Sequence, residues 1–220
     1  MKNQYKRWLL LVGFIFSYPV FGLDFETHKD RYSQEIARFY GLKSEKNLKM
    51  LKISGYQQTV DYSCAPAAVM SLLHYYGKLS KVEMNHATEL KIAKEMRTSI
   101  KYGTSEQQLL NWLNKHGFEA KLGYNGTLSL LEKNLNKGIF TLVDWFDWGG
   151  HWVIVAGYNK VGKTPEQNKD TLFFADSAVS LDNVKYLNGL STINPERFKY
   201  MWFNSKLVKG IYISVRPRRK

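Results

Sequence analysis

Apolar residues recur at helical spacing through the first part of the chain, then give way to short β-branched and aromatic runs. In "DRYSQEIARFYG", Tyr32, Ile36 and Tyr40 fall on one face, and Gly41 closes the pattern. Downstream of Cys64, the residues Val69, Leu72, Leu73 and Tyr76 repeat until Gly77, which predicts a buried helix of about three turns. "TSEQQLLNWLNKHG" offers a capping box from Ser105 to Gln108, a stripe of Leu109, Leu110 and Leu113, and a stop at Gly117. "TLSLLEKNLNKG" repeats the scheme, with Thr127 as cap and Gly138 as end. The second half reads as strands: "GIFTLVDW", "HWVIVAGYN", "DTLFFADSA" and "GIYISV", each bounded by Gly, Asn or Asp. The C-terminal stretch beginning "NPERFKYMWF" adds a helix and a closing strand. Helices first and strands later predict the α+β class, with the helices packed against one side of an antiparallel sheet.

Composition narrows the picture. The chain has 220 residues, 44% of them apolar, enough for one domain with a sizeable core, and it contains no repeat or low-complexity tract. Its first 22 residues set Lys2, Lys6 and Arg7 before an apolar run from Trp8 to Phe16, then Pro19 and Gly22. That is the order of a secretory signal peptide, with cleavage expected near Gly22 and a single domain over 23–220. The expected location is the periplasm or the exterior. The leader holds three of the 32 Lys and Arg residues and none of the 19 acidic ones, so the net charge falls from +13 to +10 on its removal. Such a surplus favours loose association with anionic envelope surfaces. The basic residues cluster only in "RPRRK", with no nucleic-acid-recognition pattern, so specific nucleic-acid binding is not expected. There is no HExxH and no cysteine pair, and neither a metal nor a cofactor is expected.

The chemistry centres on Cys64, the only cysteine. An unpaired thiol in an exported chain is either buried and inert or reactive. With a helix starting at Ala65 or Pro66, the first amides point at the sulfur and favour thiolate over thiol, and Pro66 suits a first turn. Attack on a carbonyl also needs an imidazole, a group to orient it, and donors for the oxyanion. His28, His74, His86 and His116 read as surface or structural residues; His74 lies about 15 Å along the same helix. His151 differs, because it follows two glycines at the start of a strongly patterned strand. Asp176 ends the next apolar run, where it either fixes the tautomer of His151 or opens a turn before Ser177. Gln58, six residues before Cys64, is the candidate side-chain oxyanion donor, with Gln57 as competitor. In "DWFDWGGHW", Trp145, Trp148 and Trp152 are candidates for the substrate-binding wall or for the core.

The spacing of Gln58 to Cys64, followed by "GGHWVIVAGYN" and "FFADSA", resembles the bacteriocin-processing double-glycine peptidases, a branch of the papain-like cysteine peptidases. The resemblance covers roughly residues 55–180. It implies a papain-like fold, Cys64 as nucleophile, His151 as general base and acid, Asp176 as its orienting group and Gln58 as oxyanion donor. It also implies a peptide or protein substrate with small residues at the cleavage point. The sequence departs from the pattern in Ala65 and Pro66 after the cysteine, in Ser177 where a proline is usual, and in the long connection "NKVGKTPEQNKD". No transporter segment or nucleotide-binding motif accompanies these residues, so the resemblance carries a fold and a reaction rather than coupling to transport. Three readings therefore enter the structural comparison: a hydrolase, an acyl-transferring effector using the same site, and a non-catalytic shell that binds a peptide or envelope component.

Overall fold

The "CAPAAVMSLLHY" stretch of small and apolar residues forms a central helix whose residues Cys64–Leu72 are all buried, as an all-round apolar helix must be. The structure is a computed structural model, and it describes residues 29–42, 47–146, 149–160, 170–179, 189–203 and 210–219. The expected leader lies outside these residues. Along the chain come α1 (Lys29–Phe39), β1 (Leu48–Met50), α2 (Cys64–Tyr75), α3 (His86–Met96), α4 (Glu106–Lys115), β2 (Phe118–Gly123) and α5 (Leu128–Asn136). They are followed by β3 (Phe140–Trp145), β4 (His151–Asn159), β5 (Thr171–Ala175), β6 (Leu190–Ile193), α6 (Pro195–Phe203) and β7 (Tyr212–Pro217).

The sheet runs β2-β7-β3-β4-β5-β6, antiparallel at every pairing, with β1 taking up the far end of β4 beyond the residues that β3 pairs. The α+β class is as expected. Tyr75 of α2 meets Phe140 of β3 edge-on at 4.7 Å, and on the neighbouring residue Asn134 of α5 donates to Thr141 Oγ1 at 3.0 Å. Successive strand residues point to opposite faces. The N-terminal helix α2 therefore covers one face, while α5 covers the other, together with α6, whose Phe198 meets Trp145. The sheet is sandwiched rather than covered on one side. A second difference is the place of β7, which the sequence reading made a closing strand and which instead lies inside the sheet between β2 and β3.

Two features of this frame position the site. Ile154 of β4 pairs with Ala175 of β5, so the start of β4 and the end of β5 share one end of the sheet, and α2 packs on β4. Gly149 and Gly150 precede β4 with φ of +96° and +114°, a region that strains any side chain, so the chain turns sharply into His151.

Candidate active site

Helix α2 begins at Cys64 itself, one residue earlier than the spacing predicts, with Ser63 at the N-cap position. Pro66 then lies in the first turn, where its missing N–H leaves no hydrogen bond unmade. The Cys64 side chain is 7% exposed, which places the sulfur at the mouth of a helix and nearly out of water.

His151 is 6% exposed and Asp176 4%. The imidazole Nε2–H donates to Asp176 Oδ1 at 2.8 Å, which leaves Nδ1 as the ring nitrogen not engaged by the aspartate. Burial alone pushes this imidazole down, but the hydrogen bonds and charges of Asp176 and Cys64 outweigh it and bring His151 up to about 9. Burial pushes the Asp176 carboxyl up; the His151 hydrogen bond and charge and the Ala178 backbone N–H, which donates at 2.9 Å, overcome it and hold Asp176 below its usual range. Asp176 also opens a turn through Ala178, so its hydrogen bond to His151 and the turn occur together.

Gln58 is tied to the same corner. Its backbone N–H donates to the Ser177 carbonyl at 2.9 Å, its Oε1 accepts from the Ser177 hydroxyl at 2.7 Å, and its Nε2 donates to the Val60 carbonyl at 3.0 Å. The amide is thus held at both ends, and Nε2 carries a second hydrogen that Val60 does not take. Gln57 is exposed and has no such tether. Ser177, visible in the sequence only as a departure from a family pattern, is the residue that links Gln58 to the aspartate. Gly55 reinforces the link, because a Cβ there would fall 2.5 Å from the Gly189 carbonyl oxygen and 3.0 Å from that of Asp176.

The tryptophans separate. Trp145 pairs with His151 across β3 and β4, and its ring lies 5.7 Å from the imidazole with Phe174 and Phe198 behind it. Trp152 points to the opposite face, where its indole N–H donates to the Thr104 carbonyl at 3.0 Å. At 4% and 3% exposure both belong to the core, so burial favours the core reading over the cleft wall, and Trp145 backs the imidazole. Trp148 lies outside the described residues, as does His28. The remaining histidines sit elsewhere: His74 on the Leu79 carbonyl, His86 on the Thr59 hydroxyl, and His116 stacked on Trp112.

A buried thiol, an imidazole bonded to a carboxylate, and a fixed amide thus come from α2, β4, the end of β5 and the loop before α2. Comparison with known proteins bears on the family and the fold. The family model described as the Peptidase_C39-like family matches residues 50–202. Among solved structures, the peptidase domain of Streptococcus ComA, a bi-functional ABC transporter involved in a quorum-sensing pathway, superposes with a TM-score of 0.52 at 18% identity, covering 75% of this chain and 98% of that one. A double-glycine-motif protease from an AMS/PCAT transporter, in complex with the leader peptide, gives 0.53 at 19% identity over 76% and 94%. A C39-like peptidase from Bacillus anthracis gives 0.53 at 15% identity over 79% and 99%. No curated protein matches.

Proposed function

The chain belongs to the Peptidase_C39-like family of cysteine peptidases, and from that premise we propose that it hydrolyses a peptide or amide bond through Cys64, His151 and Asp176, with Gln58 as oxyanion donor. The observation that carries the reading is the buried imidazole of His151 bonded to Asp176 at 2.8 Å, in a chain whose one cysteine is buried at the mouth of α2. Above its usual range, His151 is an imidazolium across neutral pH and can give its proton to a leaving group.

The Cys64 Sγ attacks the substrate carbonyl carbon, and the carbonyl electron pair moves onto oxygen. The Gln58 amide and the Cys64 backbone N–H, free of any intrahelical acceptor at the helix start, stabilise that oxygen. When the C–N bond breaks, the leaving amine takes the proton of His151 Nδ1. Neutral His151 then removes a proton from water, the resulting hydroxide attacks the thioester, and the Cys64 thiolate leaves. Asp176 stays ionised and keeps Nε2–H engaged throughout. An amine in place of water would turn the same site to acyl transfer.

A peptide substrate is supported by the leader peptide bound to the AMS/PCAT relative. In this reading residues 1–22 are a leader removed near Gly22, the protein acts in the periplasm or outside the cell, and its basic surface holds it loosely to anionic envelope components.

The first experiment follows Cys64 alkylation by iodoacetamide against pH in the purified protein and in His151→Ala. Rapid alkylation below pH 7 in the parent, with the acid limb displaced upward in the variant, is the expected result. Slow alkylation that rises only in the alkaline range, identical in both, would leave a non-catalytic shell. Peptides differing only by glycine or leucine before the scissile bond come next. Glycine should be cleaved at least about 10-fold faster. Equal rates would remove the preference for small residues and leave the chemistry standing.

A further inference from the structure

Glu89, in the first turn of α3, is fully buried and has no part in the chemistry above. Its carboxylate faces donors on all sides. The Thr59 backbone N–H reaches its two oxygens at 2.9 and 3.2 Å, the Thr59 hydroxyl donates at 2.7 Å, the Tyr56 phenol donates at 3.3 Å, and the Ser63 hydroxyl donates to Oε1. Two of the donor residues lie between the residues that the site uses, since Thr59 follows Gln58 and Ser63 precedes Cys64. A buried carboxylate persists only where its lone pairs are answered, so the irregular segment 56–63 is folded around this one.

Ser63 shows what the arrangement does. It occupies the N-cap position of α2 but makes no capping bond; its single hydroxyl proton is shared between two acceptors, Glu89 and the Val60 carbonyl, the latter at 2.8 Å. The same Val60 carbonyl accepts the Gln58 Nε2–H. The amides at the mouth of α2 are therefore not taken up by a capping side chain, and Gln58 is fastened to the loop that Glu89 holds. We propose that Glu89 is a positioning residue for the oxyanion site, fixing the segment from Gln58 to Cys64 so that the side-chain and backbone donors converge on one oxygen. It acts through the loop and touches neither the sulfur nor the substrate. This rests on the peptidase reading above.

The test compares two reactions of the same thiol. Acylation by p-nitrophenyl acetate passes through an oxyanion; alkylation by iodoacetamide does not. Glu89→Gln should slow the acylation burst by about 10-fold or more and change alkylation by less than about 3-fold, with the alkylation pH profile unmoved. In a Gln58→Ala background, the same substitution should cost at least about threefold less than it does alone, because the donor it positions is already gone. Acylation unchanged in Glu89→Gln, both reactions slowed alike, or equal cost with and without Gln58 would each overturn the assignment. Should Glu89→Gln fail to fold, Thr59→Val, which removes one of the four donors, is read by the same cycle with the same outcomes. A parent protein that is not acylated at Cys64, judged against Cys64→Ala, removes the peptidase reading itself. An active parent with an indifferent Glu89 removes only this proposal.

Discussion

At the scale of single residues, Asp144 is a carboxylate held at a cost. Burial and the nearby charge of Glu106 raise it to about 6, against the lowering effect of the His151 backbone N–H, which its carboxylate accepts, and of the His151 charge. Its Oδ1 has no hydrogen-bond partner among the described residues. A carboxyl that binds its proton more tightly folded than unfolded makes the protein less stable as pH rises from about 4 through 6. Above that window the full penalty is present, on the order of 2–3 kcal/mol. Asn keeps an acceptor for the His151 N–H and has no charge to bury. Asp144→Asn should therefore gain stability relative to the parent between pH 4 and pH 7.5, by that order of magnitude in urea unfolding; a difference that does not change with pH would show that Asp144 ionises without penalty.

Among the elements, the ends are set by local chemistry. The Ser105 hydroxyl accepts from the Gln108 N–H at 3.3 Å, and the Gln108 side chain accepts from the Ser105 N–H at 2.8 Å, closing the box that starts α4. Ser105→Ala should lower thermal stability by about 1 kcal/mol. No change in the unfolding midpoint would mean that tertiary packing alone holds this end. These boundaries were legible because caps and glycines act within a few residues; Thr127, Gly117 and Gly138 end or start helices as read. Helix α3 shows in the sequence only as helical, polar surroundings for His86, because its core face includes Glu89, which breaks the apolar stripe and is satisfied by residues that the fold brings to it. The local signal was Asn85, whose side chain caps the Thr88 N–H at 3.0 Å. β1 and β6, three and four residues long and half-buried, are too short to show an alternation. Cys64, His151, Asp176 and Gln58 could be named because their residue types limit what they do. Ser177 and Glu89 could not, since serine and glutamate are common and only their partners give them a role.

For the molecule as a whole, the order of strands is what the sequence conceals, because a run such as "GIYISV" says that it is a strand and not where it inserts. Val215 pairs with Ala120 on one side and Phe140 on the other, stitching the end of the chain between two strands made long before it. Among the described strands, β2 borders β7 alone. Until residues 212–217 have been synthesised, β2 has no strand to lie against, and the floor under α4 is incomplete. Pairings so distant along the chain also form slowly. Strands β3, β4 and β5 can close on one another before then, so among the described strands the one made last is the one that joins β2 to the sheet.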